Sequence, residues 1–290
     1  MTIPPLATTP PLQLQSLPPR QGAAWVQRGF QLFLRRPMGY TLLFLSFLFV
    51  ALFVMSLPWV GQVLVMMALP LLSLAFMVAT RGVLLGGKAV HPGLYAELLR
   101  ARPKARQREL LKLCFVYGVA TALIAGLSDW VDGGRFEQLH IEMVTEGGEP
   151  AALMRDARLQ FGLVLRLGLT TLLALPFWHA PALVWWAQQS AAQSLFSSWV
   201  ACWRNRGALL VYGLTWVALA VGFALLASTV FALLGARELT SVAALPGGLM
   251  FSCAFYASLY ATFSDSFGWS AEPAGDGGAP KDQAPTNGAA

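Results

Sequence analysis

Residues 37–80 read PMGYTLLFLSFLFVALFVMSLPWVGQVLVMMALPLLSLAFMVAT, with no charged residue between Arg36 and Arg81. As one helix rising ~1.5 Å per residue, this stretch would be about twice as long as the ~30 Å hydrocarbon layer of a bilayer. It therefore holds two spans. The break falls at Leu57-Pro58-Trp59-Val60-Gly61, where Pro and Gly permit a tight turn and Trp59 suits a membrane–water interface. The first span lies near 38–57 and the second near 61–80.

The remaining chain repeats the pattern. A shorter apolar segment near 111–128 lies between Lys112 and Asp129, and uncharged runs extend from Leu167 to Trp203, from Gly207 to Ala236 and from Leu239 to Ser264. Spans are expected near 163–187, 208–234 and 242–264. Soluble core helices rarely reach such lengths, and no small-residue cleavage site follows a short apolar core near the start, so the N-terminus is expected to be retained. The predicted fold class is all-α: a polytopic membrane protein of six transmembrane helices over residues 21–267. Residues 1–20, rich in Pro and Gln, and residues 268–290, rich in Gly, Ala and Pro, lack the periodicity to bury a face and are expected to be disordered tails.

Lys and Arg orient the bundle. Arg20, Arg28, Arg35 and Arg36 precede span one without an acid, and eight basic residues from Arg81 to Lys112 face only Glu97 and Glu109. Those sides are expected to be cytoplasmic. The connection between spans three and four carries Asp129, Asp132, Glu137, Glu142, Glu146, Glu149 and Asp156 against Arg135, Arg155, Arg158 and Arg166, a net of −3, and belongs outside. Arg204 and Arg206 return the chain to the inside, and Arg237 and Glu238 cancel on the last outer turn. Both termini are then cytoplasmic. The overall charge of +6 is what juxtamembrane loops and anionic headgroups already require, so no nucleic-acid partner is expected. Within the outer connection, Phe136, Leu139, Met143 and Val144 form one apolar helical stripe, enough for a surface helix but not for a soluble domain.

A repeated unit lies under the hydropathy. Trp25, Val26, Phe30, Phe33 and Leu34 recur at helical spacing among polar residues and end at Arg35-Arg36-Pro37; Leu195, Phe196, Trp199, Val200 and Trp203 repeat the design and end at Arg204-Asn205-Arg206. These read as basic amphipathic interfacial helices before spans one and five, anchored by Trp25, Phe30, Phe33, Arg35 and Arg36 in one and by Trp199, Trp203, Arg204 and Arg206 in the other. Val116-Tyr117-Gly118 matches Val211-Tyr212-Gly213, with Gly39-Tyr40 a looser echo. The pattern suggests a basic segment followed by a helical hairpin, used three times in parallel. Convergence of cytoplasmic membrane entrances on aromatics and Arg accounts for it equally well.

The segments Pro70-Leu-Leu-Ser-Leu-Ala-Phe-Met, Pro176-Phe-Trp-His-Ala-Pro-Ala-Leu-Val-Trp-Trp and Ser194-Leu-Phe-Ser-Ser-Trp-Val-Ala-Cys-Trp-Arg-Asn together resemble an uncharacterised family of proteobacterial multi-helix inner-membrane proteins known from Burkholderia. The resemblance covers roughly residues 21–267. It implies a bacterial inner membrane and supplies no biochemical activity.

Few residues invite chemistry. Gly82-x4-Gly87-Lys88 has phosphate-loop spacing, but Ala89 replaces the metal-binding hydroxyl and a membrane span precedes it where a strand is needed. Cys114, Cys202 and Cys253 sit singly and read as small core residues. Gly118, Ala122 and Gly126 form a small-residue row that suits close helix packing within the protomer or in a dimer. His179 lies between Pro176 and Pro181, where two prolines interrupt one span; it is expected either to hydrogen-bond between helices or to line a transport cavity. Arg166, near the outer end of that span, is expected to snorkel or to pair with Asp129 and Asp132. No cofactor or metal site is expected, and lipid-directed chemistry at Asp129, Asp132, His140 and Glu142 is a distant possibility. Two functions lead: an accessory protein engaging the lipid bilayer, its anionic headgroups, membrane partners or a second copy; and a small transporter or channel with a site near the Pro176–Pro181 break.

Overall fold

The computed structural model describes residues 12–58, 60–86, 90–100, 103–144, 150–235 and 239–269. Trp59, the Gly87-Lys88-Ala89 segment, Glu146, Glu149, Arg237, Glu238 and residues 1–11 and 270–290 lie outside the described residues, as does the side chain of Val144.

The described residues form helices and no strand. In chain order they are α1 (Gln21–Arg35), α2 (Pro37–Met55), α3 (Gly61–Leu84), α4 (Leu94–Arg100), α5 (Lys104–Asp132), α6 (Arg135–Val144), α7 (Pro150–Leu153), α8 (Ala157–Phe177), α9 (Ala180–Ala187), α10 (Ala191–Arg204), α11 (Arg206–Leu233) and α12 (Leu239–Phe267). Six segments are long and apolar enough to cross a bilayer: Pro37–Met55, Gly61–Leu84, Lys104–Asp132, Ala157–Ala187, Arg206–Leu233 and Val242–Phe267. Each coincides with an expected span, and the turn between the first two falls where Pro58 and Gly61 place it. The main difference lies at the ends. The helix of the third span starts at Lys104, so its basic residues ride on the span helix itself; nothing in an α-helix obliges it to stop where hydropathy does.

Alternation of the spans puts α1, α4, α10 and both ordered chain ends at one end of the bundle, which carries most of the Lys and Arg, and α6 and α7 at the other, acidic end. Packing is concentrated at the basic end. In α11 the buried residues are Ala208 and Tyr212, both near its start, whereas Val217, Leu225, Leu226 and Leu233 further on are exposed. In a membrane that surface meets acyl chains, which are as apolar as the side chains themselves.

The basic segments pack mainly on helices other than the hairpins they precede: α1 on α11 and α12, α4 on α3, and α10 on α8 and α9. Tyr95 of α4 donates its hydroxyl to the Leu43 carbonyl of α2 at 3.0 Å. Within two hairpins a Tyr of the first helix bonds the second: Tyr40 to Thr80 at 3.0 Å and Tyr212 to Ser258 at 2.7 Å. Tyr117 rests its ring on Phe177, with centroids 4.9 Å apart. The second helices, α3, α9 and α12, meet at the centre, where Met77, Leu183 and Phe263 are fully enclosed.

Residues 12–20, assigned by composition to a tail, hydrogen-bond to the bundle. Gln13 and Gln15 donate backbone N–H groups to Phe267 and Ser266, Leu17 N–H donates to Asn205 Oδ1, and Asn205 Nδ2 donates to Gln15 O. Proline lacks an N–H and low periodicity argues against a helix, but neither prevents an extended strand of chain from finding polar partners.

Candidate functional site

The interrupted fourth span is built first by what proline removes. Pro176 and Pro181 lack backbone donors, and the helix stops at Phe177 and restarts at Ala180. In an unbroken helix His179 N–H would donate to Leu175 O. Here Ser198 of α10 stands between them: its hydroxyl accepts from His179 N–H at 3.0 Å and donates to Leu175 O at 2.9 Å. Cys202, one turn on, also donates to Leu175 O at 3.4 Å. A side-chain hydroxyl is thus inserted into the backbone ladder, a recognised cause of a sharp bend. Burial pushes the Cys202 thiol up to about 12, against a smaller lowering from the hydrogen bond with Ser198.

His179 is therefore held by its backbone. The imidazole is buried between Phe263 and Phe267, with centroids 6.1 and 5.5 Å away, and its Nδ1 has no hydrogen-bond partner. Nδ1 therefore does not make the expected side-chain hydrogen bond between helices. A cavity of about 190 Å³ does lie between spans two, three, four and six, lined by Ser73, Tyr117, Phe177, Trp178 and Tyr256. His179 does not line it. Arg166 is not part of this region either: it lies roughly 20 Å along the span at 1.5 Å per residue, paired with Asp129 at 2.6 Å and seated 4.1 Å over the Phe136 ring. Asp132, its other expected partner, instead caps the turn after α5 by accepting from Gly134 and Arg135 N–H.

The basic end carries the other arrangement. Asp265, near the end of α12, accepts from Gln21 Nε2 at 2.6 Å, Trp25 Nε1 at 2.9 Å and Arg28 at 2.8 Å. Two clefts also lie at this end. One, of about 270 Å³ between α1, α3 and α12, is lined by Arg28, Gln31, Arg35, Leu84 and Tyr260; the other, of about 370 Å³, by Arg81, Glu97, Leu98, Trp185 and Trp186. Arg81 lies 5.8 Å over Trp186 and Arg106 5.2 Å over Trp185.

Over 257 residues the chain is 31% identical to a probable inner membrane protein of Burkholderia thailandensis, a match covering 89% of this chain and 94% of that one. The chain belongs to this Burkholderia inner-membrane family. No family model matches it, and no solved structure does. Family membership and the six apolar helices together make it a multi-pass inner-membrane protein. Neither the relative's description nor the side-chain geometry points to catalysis, and no group of three or more His, Cys, Asp or Glu among the described residues is arranged to hold a metal.

The two amphipathic helices of this family member place their aromatics differently. Trp25 is fully buried and Phe33 nearly so, while Phe30 packs on Trp216 and Phe251, so these three face the protein interior; Arg35 and Arg36 remain exposed. On α10, Trp199 and Trp203 stack 6.2 Å apart on the outer surface, Arg206 lies over Trp203 at 5.6 Å, and Arg204 is exposed. Gly118 faces the Met67 side chain of α3, within the protomer, while Gly126 faces open space. Sequence pattern missed Ser198 and Asp265. Ser198 is one of two adjacent serines with no distinguishing neighbour; Asp265 carried a signal, as the lone charged residue in the last turns of span six.

Proposed function

We infer that the protein is a non-catalytic accessory component of the inner membrane, with both termini in the cytoplasm and a cytoplasmic face that engages lipid headgroups or partner subunits. One observation carries this: Phe196, Trp199, Trp203 and Arg204 of α10, with Arg206 at the start of α11, are exposed beside a helix whose other face is fixed to the break in span four. A stacked Trp pair flanked by Arg at a span entrance is the composition of an interfacial anchor. Orientation rests on the Lys and Arg distribution.

A second reading, transport, draws on the cavity beside Tyr117 and Tyr256. Its lining is mainly apolar and holds no Asp, Glu, Lys, Arg or His, which suits a neutral or lipidic solute and not an ion-coupled carrier. Labelling intact cells with a membrane-impermeant maleimide tests the main reading. Glu137→Cys is expected to react from outside and Arg100→Cys only after permeabilisation. The opposite pattern overturns the orientation and with it a cytoplasmic engaging face.

A further inference from the structure

The cleft between α1, α3 and α12 is an anion seat by construction. Arg28 and Arg35 are two helical turns apart on one face of α1 and both line it. Asp265 answers Arg28 and is already shared with Gln21 and Trp25. Arg35 and Arg81 make no ion pair among the described residues. The Tyr260 hydroxyl lies beside the Arg81 guanidinium, is buried, and makes no aligned hydrogen bond. Two guanidinium groups, Arg28 and Arg35, therefore line a space of about 270 Å³ with no carboxylate in its wall, and Arg81 stands behind Tyr260, leaving a local excess of positive charge and an unused hydroxyl donor.

The position in the bilayer selects the anion. Arg35 lies just before the span that begins at Pro37, Leu84 ends the second span, and Ser264 is in the last turn of the sixth, which ends at Phe267. The cleft is thus at headgroup level. Its wall includes Leu32 and Leu84, and Leu34, Met38 and Leu85, within three residues of its lining in the chain, are 67%, 73% and 45% exposed. A soluble anion gains nothing from such surroundings, whereas a phosphate with acyl chains attached fits both parts. Arginine matches phosphate geometry through paired N–H donors, and basic pockets between spans on the cytoplasmic side are where phospholipid headgroups bind.

We propose that this cleft binds the phosphate of an anionic phospholipid, with Arg35 and the Tyr260 hydroxyl as direct donors and Arg28 and Arg81 as flanking charges. The seat deepens the accessory role inferred above and depends on the same orientation. The full chain, reconstituted in nanodiscs of phosphatidylcholine with a graded fraction of phosphatidylglycerol, is read by lipid retention in native mass spectrometry and by thermal unfolding. Phosphatidylglycerol is expected to be retained in preference and to raise the unfolding temperature, since a ligand that binds only the folded state stabilises it. Arg35→Gln is expected to weaken retention roughly ten-fold. Arg100→Gln, which removes an exposed charge at the same end but outside the cleft, is expected to leave it unchanged. Equal retention of the two lipids overturns the proposal, and so does an equal loss in Arg100→Gln. Inorganic phosphate that reproduces the stabilisation in pure phosphatidylcholine overturns the lipid assignment in favour of a soluble anion. If lipid preference is absent while Glu137→Cys still labels from outside, the seat alone falls; reversed labelling removes the accessory reading as well.

Discussion

Helices α1 and α10 are written alike and used in opposite senses. Both place aromatics at helical spacing and finish on arginine, yet α1 buries Trp25, Val26, Leu32 and Phe33, while α10 buries Ala191, Ser194, Ser198, Ala201 and Cys202 and turns its aromatics outward. Small residues decide the difference. Gly22 and Gly29 let α1 approach the backbones of α11 and α12 so closely that a Cβ at either position would collide with carbonyl groups of Ala208 or Ala254, and at that distance Trp25 reaches Asp265. On α10 the small residues lie on the face opposite the aromatics, so close contact with α8 and α9 leaves the Trp pair at the surface. An apolar stripe states which face avoids water. It does not state whether protein or lipid covers it.

Replacing the two tryptophans separately gives the sharpest contrast. Trp25→Ala is expected to cost about 3–5 kcal/mol of stability, as for other fully buried large side chains, and Trp203→Ala less than about 0.5 kcal/mol, both measured by unfolding in the same detergent. Equal losses would erase the distinction between the helices. The next test concerns how α10 is fixed. Ser198→Ala strands His179 N–H and Leu175 O in a buried break and is expected to cost about 1–3 kcal/mol, whereas His179→Leu, which removes an imidazole whose Nδ1 has no bonded partner, is expected to cost less. A larger loss for His179→Leu would show that the ring has a role its contacts do not reveal. Smaller still is the effect of Trp199→Ser with Trp203→Ser: the fold is expected to persist, with quenching of Trp fluorescence by lipids brominated near the headgroup reduced. Unchanged quenching would mean that the stacked pair does not face lipid. Finally, with its thiol raised to about 12, Cys202 carries almost no thiolate at pH 8, and alkylation in the folded protein is expected to be far slower than after unfolding. Comparable rates would contradict the close packing of α10 on the break.

Much of the architecture was legible because a membrane imposes it. Charge-free runs of sufficient length are spans in any context, and Pro58 and Gly61 interrupt the first pair where turn chemistry requires. The doubled proline around His179 marked the helix break correctly. What repaired the break was not legible: the missing backbone bond is supplied by a serine on another helix, and hydropathy carries no information on which polar groups meet. The same limit hid the hydrogen bonds of residues 13–17 to Asn205 and the end of α12, and the burial of Trp25 and Phe33 against protein. The candidate site was therefore read in its elements and missed in its connections.

The bond from Trp25 to Asp265 joins residues 240 positions apart. At ~5–20 residues per second of synthesis, α1 leaves the ribosome on the order of ten to fifty seconds before its final partner exists. During that time its apolar face has no protein to cover it, and the bilayer surface is the nearest apolar phase. The amphipathic pattern that appears wasted on a buried helix thus describes where α1 waits during biogenesis, and docking against α11 and α12 becomes the last step by which the newly inserted chain closes on itself.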